Sequence, residues 1–132
     1  MGVAKKRHDA AREHWKEDPD DHDFPAASDF LSLLFPESEV ATLVDQLRGA
    51  TAIRRKAKDL LRAARLELLL ETDPEVQRDL KKVAGGERLS PVLLVRPPVG
   101  APLVIADGYH RICASYHLDE DAEIPCRLVG RQ

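Results

Sequence analysis

Apolar positions along the chain fall into two regimes. The first half carries them at helical spacing, and the second half mostly in short unbroken runs. Ser28 or Asp29 caps a short helix bearing Phe30, Leu31, Leu33 and Leu34, which Pro36 stops. From Ser38, the residues Val40, Leu43, Val44 and Leu47 recur at i, i+3, i+4 and i+7 and predict a second helix ending at Arg48-Gly49. Thr51 is the N-cap of a third, through about Arg65, with Ile53, Ala57, Leu60, Leu61 and Ala64 on one face. Leu66–Leu70 reads as a helix end or a strand. Asp73-Pro74 starts a helix carrying Val76, Leu80 and Val83, and Gly85-Gly86 ends it. Pro91–Val95 and Leu103–Ala106 are strands around the turn Pro97–Gly100. A helix follows from about Tyr109 to Tyr116, then a last strand over Ile124–Val129. From residue 66 the order is strand–helix–strand–strand–helix–strand, so the predicted fold class is α/β (α+β). The expected organisation is a charged, mobile arm over 1–23, a helical extension over 24–65 and a mixed-sheet domain over 66–132.

Composition narrows this picture. The chain has 132 residues, a formal net charge of −3 and only 5% aromatics, so its core must come from Leu, Val, Ile and Ala. A slightly acidic balance makes the chain a poor candidate for a sequence-independent DNA coater, which needs a cationic surplus. No apolar run approaches the roughly 18 residues of a membrane span, and the first twenty residues hold no apolar signal core. Cys113 and Cys126 form no CxxC pair, so neither a disulfide scaffold nor a structural zinc site is expected, and both thiols read as core residues, not nucleophiles. Together these features lead us to expect a reduced, cytoplasmic protein. The apolar residues of 24–65 must be covered, either by the rest of the chain or by a second copy in a homodimer.

One charge bias stands out: Arg48 to Arg65 holds seven basic residues and a single acid, Asp59. The expected basic helix 51–65 is either a solvated face or a surface that meets DNA or an acidic protein. Asp20-Asp21-His22-Asp23 offers metal-binding side chains, but without ordered spacing and inside the expected arm.

The segment richest in chemistry is Ala106-Asp107-Gly108-Tyr109-His110-Arg111-Ile112-Cys113-Ala114, where a strand passes through Asp-Gly straight into a helix. The free N–H groups of a helix start, with the helix dipole, favour an anion. His110 and Arg111 lie in that first turn and reach the same anion, Arg111 with a planar fork suited to phosphate. Asp107 is placed to cap an N–H, orient His110 or hold a metal ion. The plainer alternative is an ordinary turn and cap, with Arg111 paired to an acid such as Glu71.

The segment Leu66–Val129 resembles the ParB/sulfiredoxin superfamily. The resemblance rests on Ser90-Pro91-Val92-Leu93-Leu94-Val95, on Gly108-x-x-Arg111-x-x-Ala114 opening a helix, and on the closing strand Ile124-Pro125-Cys126-Arg127-Leu128-Val129. ParB proteins bind CTP at this loop and carry a DNA-binding domain after it, which this sequence, ending at Gln132, is not expected to have. Sulfiredoxins have their reactive Cys where Tyr109 stands, so their chemistry is not implied. The loop is most similar to the Asp-Gly-His-His-Arg type of free-serine kinases, matched by Asp107, Gly108, His110 and Arg111, with Tyr109 as the departure. The resemblance implies a nucleotide site for ADP, ATP or CTP at Gly108, Tyr109, His110 and Arg111, with Mg²⁺ on Asp107. It also implies Asp107, His110 and Glu71 as catalytic groups, Glu71 as general base with Glu67 behind it, and a small-molecule acceptor. The alternative is a module that senses nucleotide without turnover.

Overall fold

The structure is a computed structural model that describes residues 14–130. Residues 1–13 of the expected arm over 1–23 lie outside the described residues. Among the described residues five helices and a four-stranded mixed sheet form an α+β fold: α1 (Asp23–Leu31), α2 (Glu37–Gly49), β1 (Ile53–Lys56), α3 (Ala57–Ala64), α4 (Pro74–Ala84), β2 (Val92–Arg96), β3 (Val104–Asp107), α5 (Tyr109–Leu118) and β4 (Glu123–Gly130). Among the described residues no helix is long and apolar enough to cross a membrane.

The sheet order is β1-β4-β2-β3. Strand β2 runs parallel to β4 and antiparallel to β3, while β1 is antiparallel to β4 with Ile53 opposite Cys126. Central β2 is apolar at Val92, Leu93, Leu94 and Val95 because both of its faces are covered. Strand alternation sends Val92 and Leu94 into a core with α3, α4 and α5, and Leu93 and Val95 into a second core with α1 and α2. Helices α1 and α2 of the extension therefore cover one face of the sheet over β2, β3 and β4, its α3 packs on the other face, and the sheet draws strands from both sides of residue 66.

The sequence places the fourth strand at 66–70; it lies at 53–56. The expected basic helix 51–65 is divided, with an edge strand first and α3 from Ala57 onward. Ile53 lies four residues before Ala57 and so continues the helical apolar stripe, which is why the local pattern reads as one helix. Pairing with β4 overrides that pattern, as long-range pairing does for short segments. Residues 66–70 form neither helix nor strand, although Leu68 and Leu69 pack against the core. Helix α1 begins at Asp23, earlier than the cap at Ser28 or Asp29 suggests. Phe24, Ala27 and Leu31 make its buried face, and Pro25 sits in the first turn, where a missing N–H breaks no helical bond. Helix α2 ends on Ala50 in extended conformation rather than on a left-handed Gly49. Asp73 caps α4 as its sequence indicates, accepting from the N–H groups of Glu75 and Val76 at 3.0 and 3.1 Å. Leu31, Leu43, Leu47, Leu60 and Leu61 are buried, whereas Phe30 and Leu34 stay open beside Pro97 and Pro98.

Residues 14–22, the end of the expected arm, are held against the chain just before β2. Trp15 is buried and bridges Leu89: Lys16 N–H donates to Leu89 at 2.8 Å, and Leu89 N–H donates to His14 at 2.7 Å. Arg127 on β4 reaches back to Asp18 at 3.1 Å and to the carbonyls of Leu47 and Arg48 that end α2. This strap places polar side chains beside the start of α5.

Candidate functional site

Gly108 joins β3 to α5 with φ of 113°, a left-handed conformation that side chains resist. Space is also short there, since a Cβ would stand 2.5 Å from Val92 Cγ1. The N-terminus of α5 has no side-chain cap hydrogen bond. It opens into a cleft of about 290 Å³ lined by Gly108, Tyr109, His110 and Arg111, with Arg78, Asp79 and Lys82 from α4 facing them. A neighbouring cleft of about 330 Å³ shares His22, Asp23, Asp79, Lys82 and Arg111, so the two are halves of one polar groove.

Arg111 is the hinge of this groove and is mostly buried, with 16% of its side chain exposed. Its Nη2 donates to Asp107 Oδ2 at 3.1 Å and to the Pro91 carbonyl at 3.2 Å. The Asp23 carboxylate stands 3.9 Å from the same nitrogen. Nε is buried and has no hydrogen-bond partner among the described residues. A guanidinium walled by carboxylates leaves their own charge to be carried in a poorly hydrated place. Burial accordingly raises the Asp107 carboxyl above its ordinary range; Arg111 opposes the shift and the neighbouring Asp23 adds to it. Burial likewise raises Asp79, against the pull of Arg111, Lys82 and His110.

The expected site residues separate into two groups. Asp107, Gly108, Tyr109, His110 and Arg111 come together at the groove. Within that group Tyr109 is half-buried against the core, and its hydroxyl donates to the Glu67 carbonyl at 2.5 Å, tying the irregular 66–70 segment to α5. His110 Nδ1 lies 3.9 Å from Glu75 on α4. Glu71 is not brought to the loop. It is exposed beside His117, 3.6 Å from Nδ1, two helical turns from His110, and lines neither half of the groove. Arg54, Arg55 and Lys58 also line neither half; Lys58 pairs with Asp121 at 2.5 Å.

Four residues that the motif did not single out complete the site. Arg78, Asp79 and Lys82 project from α4, and their spacing shows only a polar helix face. Asp23 is visible in sequence only as one of a run of acids. Asp20, His22 and Asp23 have potential metal-ligand atoms within 4.8 Å of one another. Two of these donors are already engaged: Lys16 holds Asp20 at 2.7 Å, and Ser90 and Arg111 hold Asp23. At Asp107 one carboxylate oxygen, Oδ2, is likewise engaged by Arg111 at 3.1 Å.

Cys113 and Cys126 are fully buried. Burial raises both thiols, Cys126 to about 12. Labelling of the native protein by a thiol-reactive dye at pH 8 should be on the order of a hundredfold slower than of the urea-unfolded chain. Equal rates would show that one thiol is accessible and reactive.

The fold and site thus define an α+β protein with a polar groove at the strand-to-helix turn 107–109. No protein-family model, curated protein or solved structure matches the chain.

Proposed function

We propose that this chain is a ParB/sulfiredoxin-like nucleotide-binding protein, taking the phosphates of ADP, ATP or CTP at the start of α5 and acting as a phosphotransferase or nucleotide hydrolase. One observation carries the reading: the uncapped N-terminus of α5 faces a cleft lined by Arg78, Lys82, His110 and Arg111, with Asp23, Glu75, Asp79 and Asp107 among them. Backbone N–H groups, a helix dipole and several cations around one space favour a phosphate group. The same donors suit the charge that builds up on a phosphoryl group in transfer. Lys82 and Arg78 lie one helical turn apart on α4, so an anion between α4 and α5 meets both.

The base in this reading is Asp79 or Asp107, not Glu71. Both line the cleft, and both have carboxyl pKa values raised by burial, which brings a carboxylate closer to proton transfer near neutrality. Mg²⁺ enters on the nucleotide's own phosphates. The non-catalytic alternative, a nucleotide sensor, uses the same pocket and yields no product. Contact with DNA or an acidic protein through Arg54, Arg55 and Lys56 on the β1 edge would be separate from this pocket.

Titration calorimetry with inorganic phosphate, ADP, ATP and CTP, each with and without Mg²⁺, tests the site. At least one nucleotide should bind, and Lys82→Ala should weaken it about tenfold, the scale of one charge-assisted hydrogen bond. Sustained product formation with Mg²⁺ supports catalysis, and binding without product supports the sensor. No heat from any of the four, with the fold intact, would remove the nucleotide reading.

A further inference from the structure

We propose that Asp23, delivered by helix α1, is a positioning residue for Arg111: fixed by Ser90, its carboxylate stands beside Asp107 and helps hold the guanidinium in the groove. This rests on the phosphate reading of the groove for its consequence, but not for its geometry.

Asp23 is the most buried charged residue among those described, with 2% of its surface exposed. A carboxylate removed from water costs several kcal/mol unless charge and hydrogen bonds compensate it. The compensation visible here is specific. Ser90, 67 residues away, donates its hydroxyl to Asp23 Oδ2. The Asp20 N–H donates to Ser90 Oγ at 2.9 Å and also reaches Asp23 Oδ2 at 3.3 Å. This small relay fixes the Asp23 rotamer, and the same oxygen then faces Arg111 Nη2 at 3.9 Å. The other charged neighbour is His22, 82% exposed, with Nε2 3.4 Å from Oδ1. Among the described residues Arg111 is therefore the one mostly buried cation against which this carboxylate is set.

Seen from Arg111, Nη2 is restrained by three groups, by Asp107 at the end of β3, by the Pro91 carbonyl before β2, and by Asp23 from α1. A long flexible side chain loses much rotamer freedom when it binds a ligand, and restraint beforehand removes that cost. The helical extension thus does more than cover the sheet: it supplies the third group that orients the phosphate-binding arginine.

The test exploits charge. A carboxylate that merely stood nearby would repel an anion, so Asp23→Asn would tighten phosphate binding. A positioning carboxylate predicts the reverse. With arginine ¹⁵N-labelled protein, and the Arg111 signals assigned by their loss in Arg111→Lys, the parent should show separate Nη resonances from hindered rotation. In Asp23→Asn these should merge, and affinity for inorganic phosphate or ATP should fall about tenfold. Ser90→Ala, which removes only the relay, should give a smaller loss of about threefold, and it carries the same test should Asp23→Asn not fold. Merged Nη signals in the parent, or unchanged signals with equal or tighter phosphate binding in the variants, overturn the proposal. If the parent binds neither phosphate nor ATP, the nucleotide reading fails, while the Arg111 spectra still decide whether Asp23 orders the side chain.

Discussion

Replacing Arg111 by Ala is expected to cost about 3 kcal/mol of stability at pH 7, with much of that loss recovered near pH 4. Removing the guanidinium leaves Asp23 and Asp107 facing each other without their shared cation. Breaking a buried ion pair from one side is costly because the remaining charge has no partner. Asp107 supplies the pH dependence. Its carboxyl is already raised by burial, and Arg111 is what opposes that rise, by its charge and its hydrogen bond. In the variant the Asp107 pKa moves further up. A carboxyl whose pKa is higher folded than unfolded contributes stability below the ordinary carboxylate range and loses it as pH rises through the folded value. The deficit is therefore largest at neutral pH and shrinks as Asp107 takes up its proton. Urea unfolding followed by the single tryptophan, Trp15, which is buried beside Leu89, measures this directly. Arg111→Ala combined with Asp107→Asn should restore part of the loss at pH 7. Equal deficits at both pH values would show that the pair carries no buried charge.

Gly108→Ala should be about as damaging, at about 2–4 kcal/mol, for reasons of shape. Two costs combine. The backbone at Gly108 has φ of 113°, where an L side chain is strained. The new Cβ would also stand 2.5 Å from Val92 Cγ1 and 2.9 Å from Val92 Cβ. Val92 is fully buried in the central strand, so it has little room to yield. Either β2 shifts or α5 tilts, and both would move the helix start that faces the groove, so phosphate affinity should fall with stability. The two costs separate in a double-mutant cycle. Val92→Ala removes the clash with Cγ1 but keeps the Cβ contact and the backbone strain, so it should offset part of the Gly108→Ala loss, giving a coupling of about 1 kcal/mol. Strict additivity would mean that contact with Val92 Cγ1 is not a cause.

The sequence alone determined those features that depend on neighbours in the chain. The apolar run Val92–Val95 marked a buried strand, because a strand covered on both faces has no polar side to display. Asp73-Pro74 marked a helix start, because a capping carboxylate and a first-turn proline act within three residues. Asp107-Gly108-Tyr109-His110-Arg111 marked the strand-to-helix turn and the groups that surround it. Tertiary structure decided the rest. Ile53–Lys56 became an edge strand because β4 offered an unpaired edge, although Ile53 fits the stripe of the helix that follows. Glu71 was drawn to His117 because the irregular 66–70 segment runs along α5 toward its C-terminal half, away from the loop. Asp23 looked like one of many acids in a polar run. It became a buried partner of Arg111 only because α1 packs on the sheet with Phe24, Ala27 and Leu31, and that packing carries the preceding strap past Leu89 and Ser90. Local spacing records the forces that act within a turn or a strand. A carboxylate that meets an arginine 88 positions away is placed by the packing of everything between them.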